Sequence, residues 1–98
     1  MDLQLTDRII FVAGASRGIG LGIAEACLRE GAKVALVARN PASLADASGR
    51  LAQEYGPHRV WSRAGDMRST AEVEAALSAC EAEHGPIFGA VANVGIHP

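Results

Sequence analysis

The stretch Val12-Ala13-Gly14-Ala15-Ser16-Arg17-Gly18-Ile19-Gly20 constrains this chain more than any other. An apolar run from Arg8 to Ala13 leads into three glycines, spaced four and then two apart, and a helical pattern starts directly behind them. Glycine lets the backbone turn tightly and lets a bulky group come close to it. The first turn of the following helix offers unpaired N–H groups and a partial positive charge, so an anion is stabilised there. Strand before and helix after is the context that a phosphate cradle requires. The plainer alternative is a glycine-rich turn that only links strand to helix.

The rest of the chain repeats the same alternation. The run Arg8–Ala13 is almost continuously apolar, as a strand covered on both faces would be, which favours a parallel sheet. Ile19, Ile23, Ala26 and Cys27 form an apolar stripe at helical spacing, and Gly31 stops that helix. Lys33–Ala38 reads as the second strand. Asn40-Pro41 is an N-cap followed by proline at the first helical position, and Leu44, Ser48, Leu51 and Tyr55 share a face of the next helix. Gly49 weakens that helix and Gly56-Pro57 ends it. Arg59–Ala64 is a shorter, more polar strand that suits a sheet edge. Ser69-Thr70-Ala71-Glu72 is a capping box that opens a third helix, with Val73, Ala76, Leu77 and Cys80 inward. Ile87–Ala92 is the fourth strand, and the residues beyond it read as loop. The order βαβαβαβ with right-handed crossovers predicts a Rossmann-type α/β three-layer sandwich, a twisted parallel sheet with helices on both faces.

Composition excludes several functions. At 98 residues the chain holds one domain at most. A formal net charge of −2, with one lysine and singly scattered arginines, gives no electrostatic case for nucleic acid or an acidic membrane. Neither a signal peptide nor an apolar span is predicted, so the expected compartment is the cytoplasm. Cys27 and Cys80 lie far apart in helical patterns and read as small buried hydrophobes. His58, His84 and His97 have no partner at a metal-ligand or triad spacing and read as surface residues.

The generic dinucleotide fingerprint G-x-G-x-x-G does not occur; the spacing present is G-x-x-x-G-x-G from Gly14, Gly18 and Gly20. On that pattern the chain resembles the short-chain dehydrogenase/reductase family. The family's T-G-x-x-x-G-x-G stands here as Ala13-Gly14-Ala15-Ser16-Arg17-Gly18-Ile19-Gly20, with Ala13 in place of a bracing threonine. Its N-N-A-G after the fourth strand stands as Ala92-Asn93-Val94-Gly95, and its aspartate after the third strand matches Asp66 in Gly65-Asp66-Met67. The resemblance implies a strand order 3-2-1-4 for the part present, and a nicotinamide cofactor. It implies that the backbone of Gly14 to Gly20, including Ser16, Gly18 and Ile19, holds the pyrophosphate region, Arg17 and Arg39 a 2′-phosphate, Asp66 and Met67 the adenine, and Asn93 and Gly95 the adenosine ribose.

The end of the second strand bears on which nucleotide. Units that bind NAD usually carry Asp or Glu there for the ribose hydroxyls. Here the strand ends Val37-Ala38-Arg39-Asn40, with no acid. Arg39 offers a planar fork of donors suited to phosphate, and Arg17 in the glycine loop can approach the same place. In the family, basic residues at these positions mark NADP over NAD.

The resemblance covers essentially all of the 98 residues, but only about the first two-fifths of such an enzyme. The family's Ser and Tyr-x-x-x-Lys lie beyond the fourth strand, so no catalytic residue is assigned and the chain alone is expected to be inactive. Tyr55 is followed four residues on by Arg59 and reads as core. Residues 1–98 are then a partial NAD(P)-binding domain truncated after the fourth strand, from an oxidoreductase that moves hydride between NADP(H) and a carbonyl or alcohol. The apolar fourth strand would be left as an edge, which predicts self-association or pairing with a missing C-terminal half. A non-catalytic nucleotide-binding or interaction module is the alternative. A methyltransferase fits less well: Gly18-Ile19-Gly20-Leu21-Gly22 gives its G-x-G-x-G, but Ala38-Arg39 lacks the acid such enzymes use.

Overall fold

The computed structural model describes residues 5–14 and 18–92. They form β1 (Ile9–Ala13), α1 (Gly18–Arg29), β2 (Lys33–Ala38), α2 (Pro41–Tyr55), a 3₁₀ turn (Pro57–Arg59), β3 (Val60–Ala64), α3 (Thr70–His84) and β4 (Gly89–Ala92). The four strands are parallel in the order β3-β2-β1-β4, as the resemblance implies. Register runs Ala13 to Val37, Ala38 to Ala64 and Ala13 to Ala92 at the carboxyl ends. All four strands finish on alanine: Ala13, Ala38, Ala64 and Ala92.

Alternation along the two central strands divides the core. Ile10, Val12, Val34 and Leu36 face α1 and α2, where Ala24, Leu28, Leu44 and Leu51 are buried. Ile9, Phe11, Ala35 and Val37 face the other way, onto Ala76 and Cys80 of α3. This double cover explains why β1 and β2 are apolar at nearly every position, while β3, at the edge, buries only its first half partially. Leu28, Leu36 and Leu51 are fully enclosed. Each contributes about 2 kcal/mol by burial.

Local chemistry sets most of the boundaries. Asn40 Oδ1 accepts from the N–H groups of Ala42 at 2.9 Å and Ser43 at 3.1 Å, so α2 starts where its cap and Pro41 place it. Gly31 (φ 92°) ends α1: its N–H bonds Leu28 O, and Ala32 N–H bonds Cys27 O, the paired closure of a left-handed helix cap.

Three details depart from the sequence-based expectation. The sheet-facing stripe of α1 is Gly20, Ala24 and Leu28; Ile19 is 73% exposed and Ala26 is also outside. Small residues let the first turns of α1 lie close to the sheet, so packing selected size over hydrophobicity. Second, β3 begins at Val60, because Arg59 closes the turn after Gly56, its N–H bonding Gly56 O at 3.1 Å. Third, β4 begins at Gly89; Ile87 packs on the α3-side core and Phe88 N–H bonds Ile9 O at 2.8 Å on the way in.

Candidate nucleotide site

The chain turns leave three described segments together at the carboxyl end of the sheet. Gly14 leaves β1 with φ 75° and donates its N–H to Val37 O at 2.7 Å, which sets the glycine turn beside the end of β2. Gly18 (φ 66°) opens α1. A Cβ at Gly18 would meet nothing within 4 Å, so backbone conformation and not crowding calls for glycine there. The first turn of α1 carries no acidic residue, so its N–H groups and partial positive charge face outward uncompensated by its own side chains. Gly20 is buried against the sheet and Ile19 stands exposed beside it.

Arg39 is exposed directly after β2, and Asp66 follows the neighbouring β3, with Gly65 N–H bonding Ala38 O at 2.9 Å. The Arg39 charge is near enough to contribute to the ionisation of Asp66. Met67 is partly buried on the α3-side core, below the Asp66 turn. Gly14, Gly18, Ile19, Gly20, Arg39, Asp66 and Met67 therefore share one end of the sheet. Ser16, Arg17, Asn93 and Gly95 lie outside the described residues.

Two residues bond Asp66 in ways that the sequence-based expectation does not include. Asp66 Oδ1 accepts from Arg68 N–H and Arg68 Nε, both at 3.0 Å, and Oδ2 accepts from Arg68 Nη2 at 3.1 Å. These bonds hold the Asp66 carboxyl at about 2, the Arg68 side chain first and its backbone N–H second. Glu72 is the other. The predicted capping box is only half formed: Ser69 Oγ accepts from Glu72 N–H at 3.3 Å, but the Glu72 carboxylate reaches past Ser69 to Asp66 N–H at 3.0 Å. Asp66 O in turn accepts from Ser69 N–H at 3.0 Å. Asp66 is thus held by its side chain through Arg68, by its carbonyl through the N-cap Ser69 and by its amide through Glu72 in the first turn of α3. The Asp-x-Arg spacing is the sequence signal for this clamp.

The opposite end of the sheet holds packing. Tyr55 is half-buried against the α1 and α2 side of the core, with its hydroxyl donating to Glu25 Oε2 at 3.3 Å and the Arg59 guanidinium 5.9 Å from its ring centroid. Cys80 is buried and Cys27 half-buried, and burial raises both thiol pKa values. His58 is exposed as expected, whereas His84 is not a simple surface residue. Its Nε2 is buried without a hydrogen-bond partner, and its ring meets Trp61 edge-on at 6.3 Å, while Trp61 Nε1 bonds Glu83. Among the described residues no group of three His, Cys, Asp or Glu could hold a metal, and no helix is long and apolar enough to cross a membrane.

The short chain dehydrogenase family model matches residues 8–98. The chain is 35% identical to 2-(S)-hydroxypropyl-CoM dehydrogenase 3 of Xanthobacter autotrophicus, over 98% of its own length and 37% of that protein. Among solved structures it is similar to L-sorbose reductase from Gluconobacter frateurii complexed with NADPH and L-sorbose, with a TM-score of 0.92 and 33% identity, covering 100% of this chain and 37% of the other. It is likewise similar to an NADPH-bound short chain oxidoreductase from Pseudomonas aeruginosa PAO1, with a TM-score of 0.86 and 33% identity over 93% of this chain and 37% of the other. The chain spans from a quarter to little more than a third of the length of the curated relatives it matches.

Proposed function

The chain belongs to the short-chain dehydrogenase family, and on that premise we propose that it carries the NADP(H) site of an oxidoreductase. The family's members bind nicotinamide cofactors, and the similar structures from G. frateurii and P. aeruginosa hold NADPH. The observation that carries the NADP reading is the end of β2. Arg39 stands exposed where an acidic residue would favour the unphosphorylated ribose, and no carboxylate follows Ala38 before the helix cap.

In this reading the Gly14 to Gly20 backbone holds the pyrophosphate region. The left-handed glycines and the acid-free start of α1 suit a doubly negative group. Arg39, with Arg17, holds the 2′-phosphate; Asp66 and Met67 take the adenine; Asn93 and Gly95 line the ribose. The bound cofactor would supply or accept hydride at a carbonyl or alcohol carbon in the whole enzyme. The residues described here bind and orient the nucleotide, and none of them is assigned to the proton transfer.

Titration of NADPH and NADH against wild type and Arg39→Asp tests the cofactor preference. A charge-assisted bond to phosphate contributes about 1.5–3 kcal/mol, so the substitution should lower NADPH affinity roughly 10- to 150-fold and leave NADH equal or tighter. An unchanged affinity ratio would refute the assignment.

A further inference from the structure

Asp66 accepts three hydrogen bonds from one residue, Arg68, two on Oδ1 and one on Oδ2. An ionised carboxylate has about four acceptor positions. The clamp therefore occupies all but about one, and the remaining one is on Oδ2. It also fixes the plane of the carboxylate, because Nε and Nη2 form the two-pronged guanidinium–carboxylate pair. The Asp66 amide is tied to Glu72 and its carbonyl to Ser69, so the residue cannot turn as a unit either. With its side chain still 32% exposed, Asp66 keeps a single free acceptor position on a carboxylate of fixed plane.

We propose that Arg68 is a positioning residue that makes the base end of the nucleotide site selective for a 6-aminopurine over a 6-oxopurine. The proposal rests on the reading of Asp66 as the adenine contact. A 6-amino group donates one N–H to the single free position on Oδ2. A 6-oxo group is an acceptor and would meet an acceptor that can neither rotate away nor become a donor. The Arg68 clamp keeps the carboxyl ionised far below neutral pH, so a protonated form that could donate is not populated. Without the clamp the carboxylate swings, admits water between itself and the 6-oxo group, and loses its discrimination.

The test compares binding of NADPH and its hypoxanthine analogue by the 98-residue chain, in wild type, Arg68→Gln, Arg68→Lys and Asp66→Asn. The two nucleotides differ at the purine 6-position and in the N1 proton that accompanies the 6-oxo form, and nowhere else, so general loosening lowers both affinities together and leaves their ratio unmoved. Wild type should favour NADPH at least about tenfold, as expected for one charge-assisted bond. Arg68→Gln should bring the ratio below about threefold, Arg68→Lys should fall between, and Asp66→Asn, whose amide can donate to the 6-oxo group, should also collapse it. If Asp66→Asn collapses the ratio and Arg68→Gln keeps it, the role of Arg68 is overturned while the adenine reading stands. If Asp66→Asn keeps the wild-type ratio, or wild type binds neither nucleotide, the underlying reading fails and the proposal with it. Arg68 is exposed, so its variants are expected to fold, and a far-ultraviolet spectrum matching wild type checks this.

Discussion

Arg59 closes the C-terminal end of α1 from across the fold: its Nη2 donates to Leu28 O at 2.5 Å and to Ala32 O at 2.9 Å. Leu28 O is among the last carbonyls of α1 and Ala32 O lies just past its end, where a cation also suits the negative end of the dipole. Arg59→Ala should cost about 2 kcal/mol by removing charge-assisted bonds to half-buried carbonyls. In a chain of this length that is a fall in Tm of about 10 °C. Arg59→Lys should recover part of it. Equal melting of wild type and Arg59→Ala, followed by circular dichroism, would show that solvent satisfies those carbonyls equally well.

Gly18 and Gly22 lie one turn apart on α1, and substitutions at them should act in opposite directions. Gly18 has φ 66°, so Gly18→Ala imposes a left-handed conformation costing about 1–2 kcal/mol. It should also weaken NADPH binding. Gly22 is exposed in regular helix with open space around its Cβ position, so Gly22→Ala should stabilise by about 0.5–1 kcal/mol. Urea unfolding midpoints of the two variants should therefore fall on either side of wild type.

The Asp66 carboxyl has a folded-state pKa of about 2, against a usual value near 3.8 in the absence of Arg68. A depressed acidic pKa adds stability that is complete above the unfolded value and disappears as pH falls through the folded one. Arg68→Gln removes the main cause of the depression. Wild type should then exceed the variant in urea midpoint by a constant amount from pH 5 to 7, and the gap should close between about pH 4 and 2. A gap that persists undiminished at pH 2 would assign it to packing instead of ionisation.

On the far side of the sheet, β4 is the outer strand among the described residues, with Ala90 and Ala92 exposed and Phe88 55% exposed beneath the Arg8 guanidinium. An apolar edge without charge invites pairing with another strand. The 98-residue chain is expected to self-associate through it. Ala90→Lys should shift sedimentation toward the monomer without changing the far-ultraviolet spectrum. An unaltered distribution of species would place the contact elsewhere.

What could be read from the sequence was governed by local chemistry. Asn40 and Ser69 start their helices where their side chains accept from the first-turn amides, Pro41 fits the first position of α2, and Gly31 ends α1 by its own φ. The strand order followed from the resemblance, and the face of β1 and β2 from their unbroken apolar runs. Long-range partners were not legible. Arg59 reads as the start of a strand, whereas its N–H closes the turn after Gly56, and its side chain bonds carbonyls 27 and 31 residues earlier that no local pattern reveals. The buried face of α1 was misjudged because Gly20 and Ala24 matter for being small, which hydropathy does not register. Glu72 satisfied a capping pattern in sequence, yet its carboxylate found a nearer need at the Asp66 amide. His84 is followed by glycine and proline, and nothing in that context indicates that its Nε2 is enclosed beside Trp61.

The four alanines that finish the strands carry a consequence for how such a site can change. Ala13 and Ala38 are buried on opposite faces of the sheet, and Gly14, Arg39 and Gly65 follow directly after Ala13, Ala38 and Ala64. On the proposed reading of Arg39, structural order and ligand preference sit on adjacent but separate positions. Arg39 can be exchanged for an acid, or the Asp66 turn rebuilt, without altering a side chain of the buried sheet. If Arg39 sets the nucleotide preference as proposed, one exposed position can change it while the buried sheet is left intact.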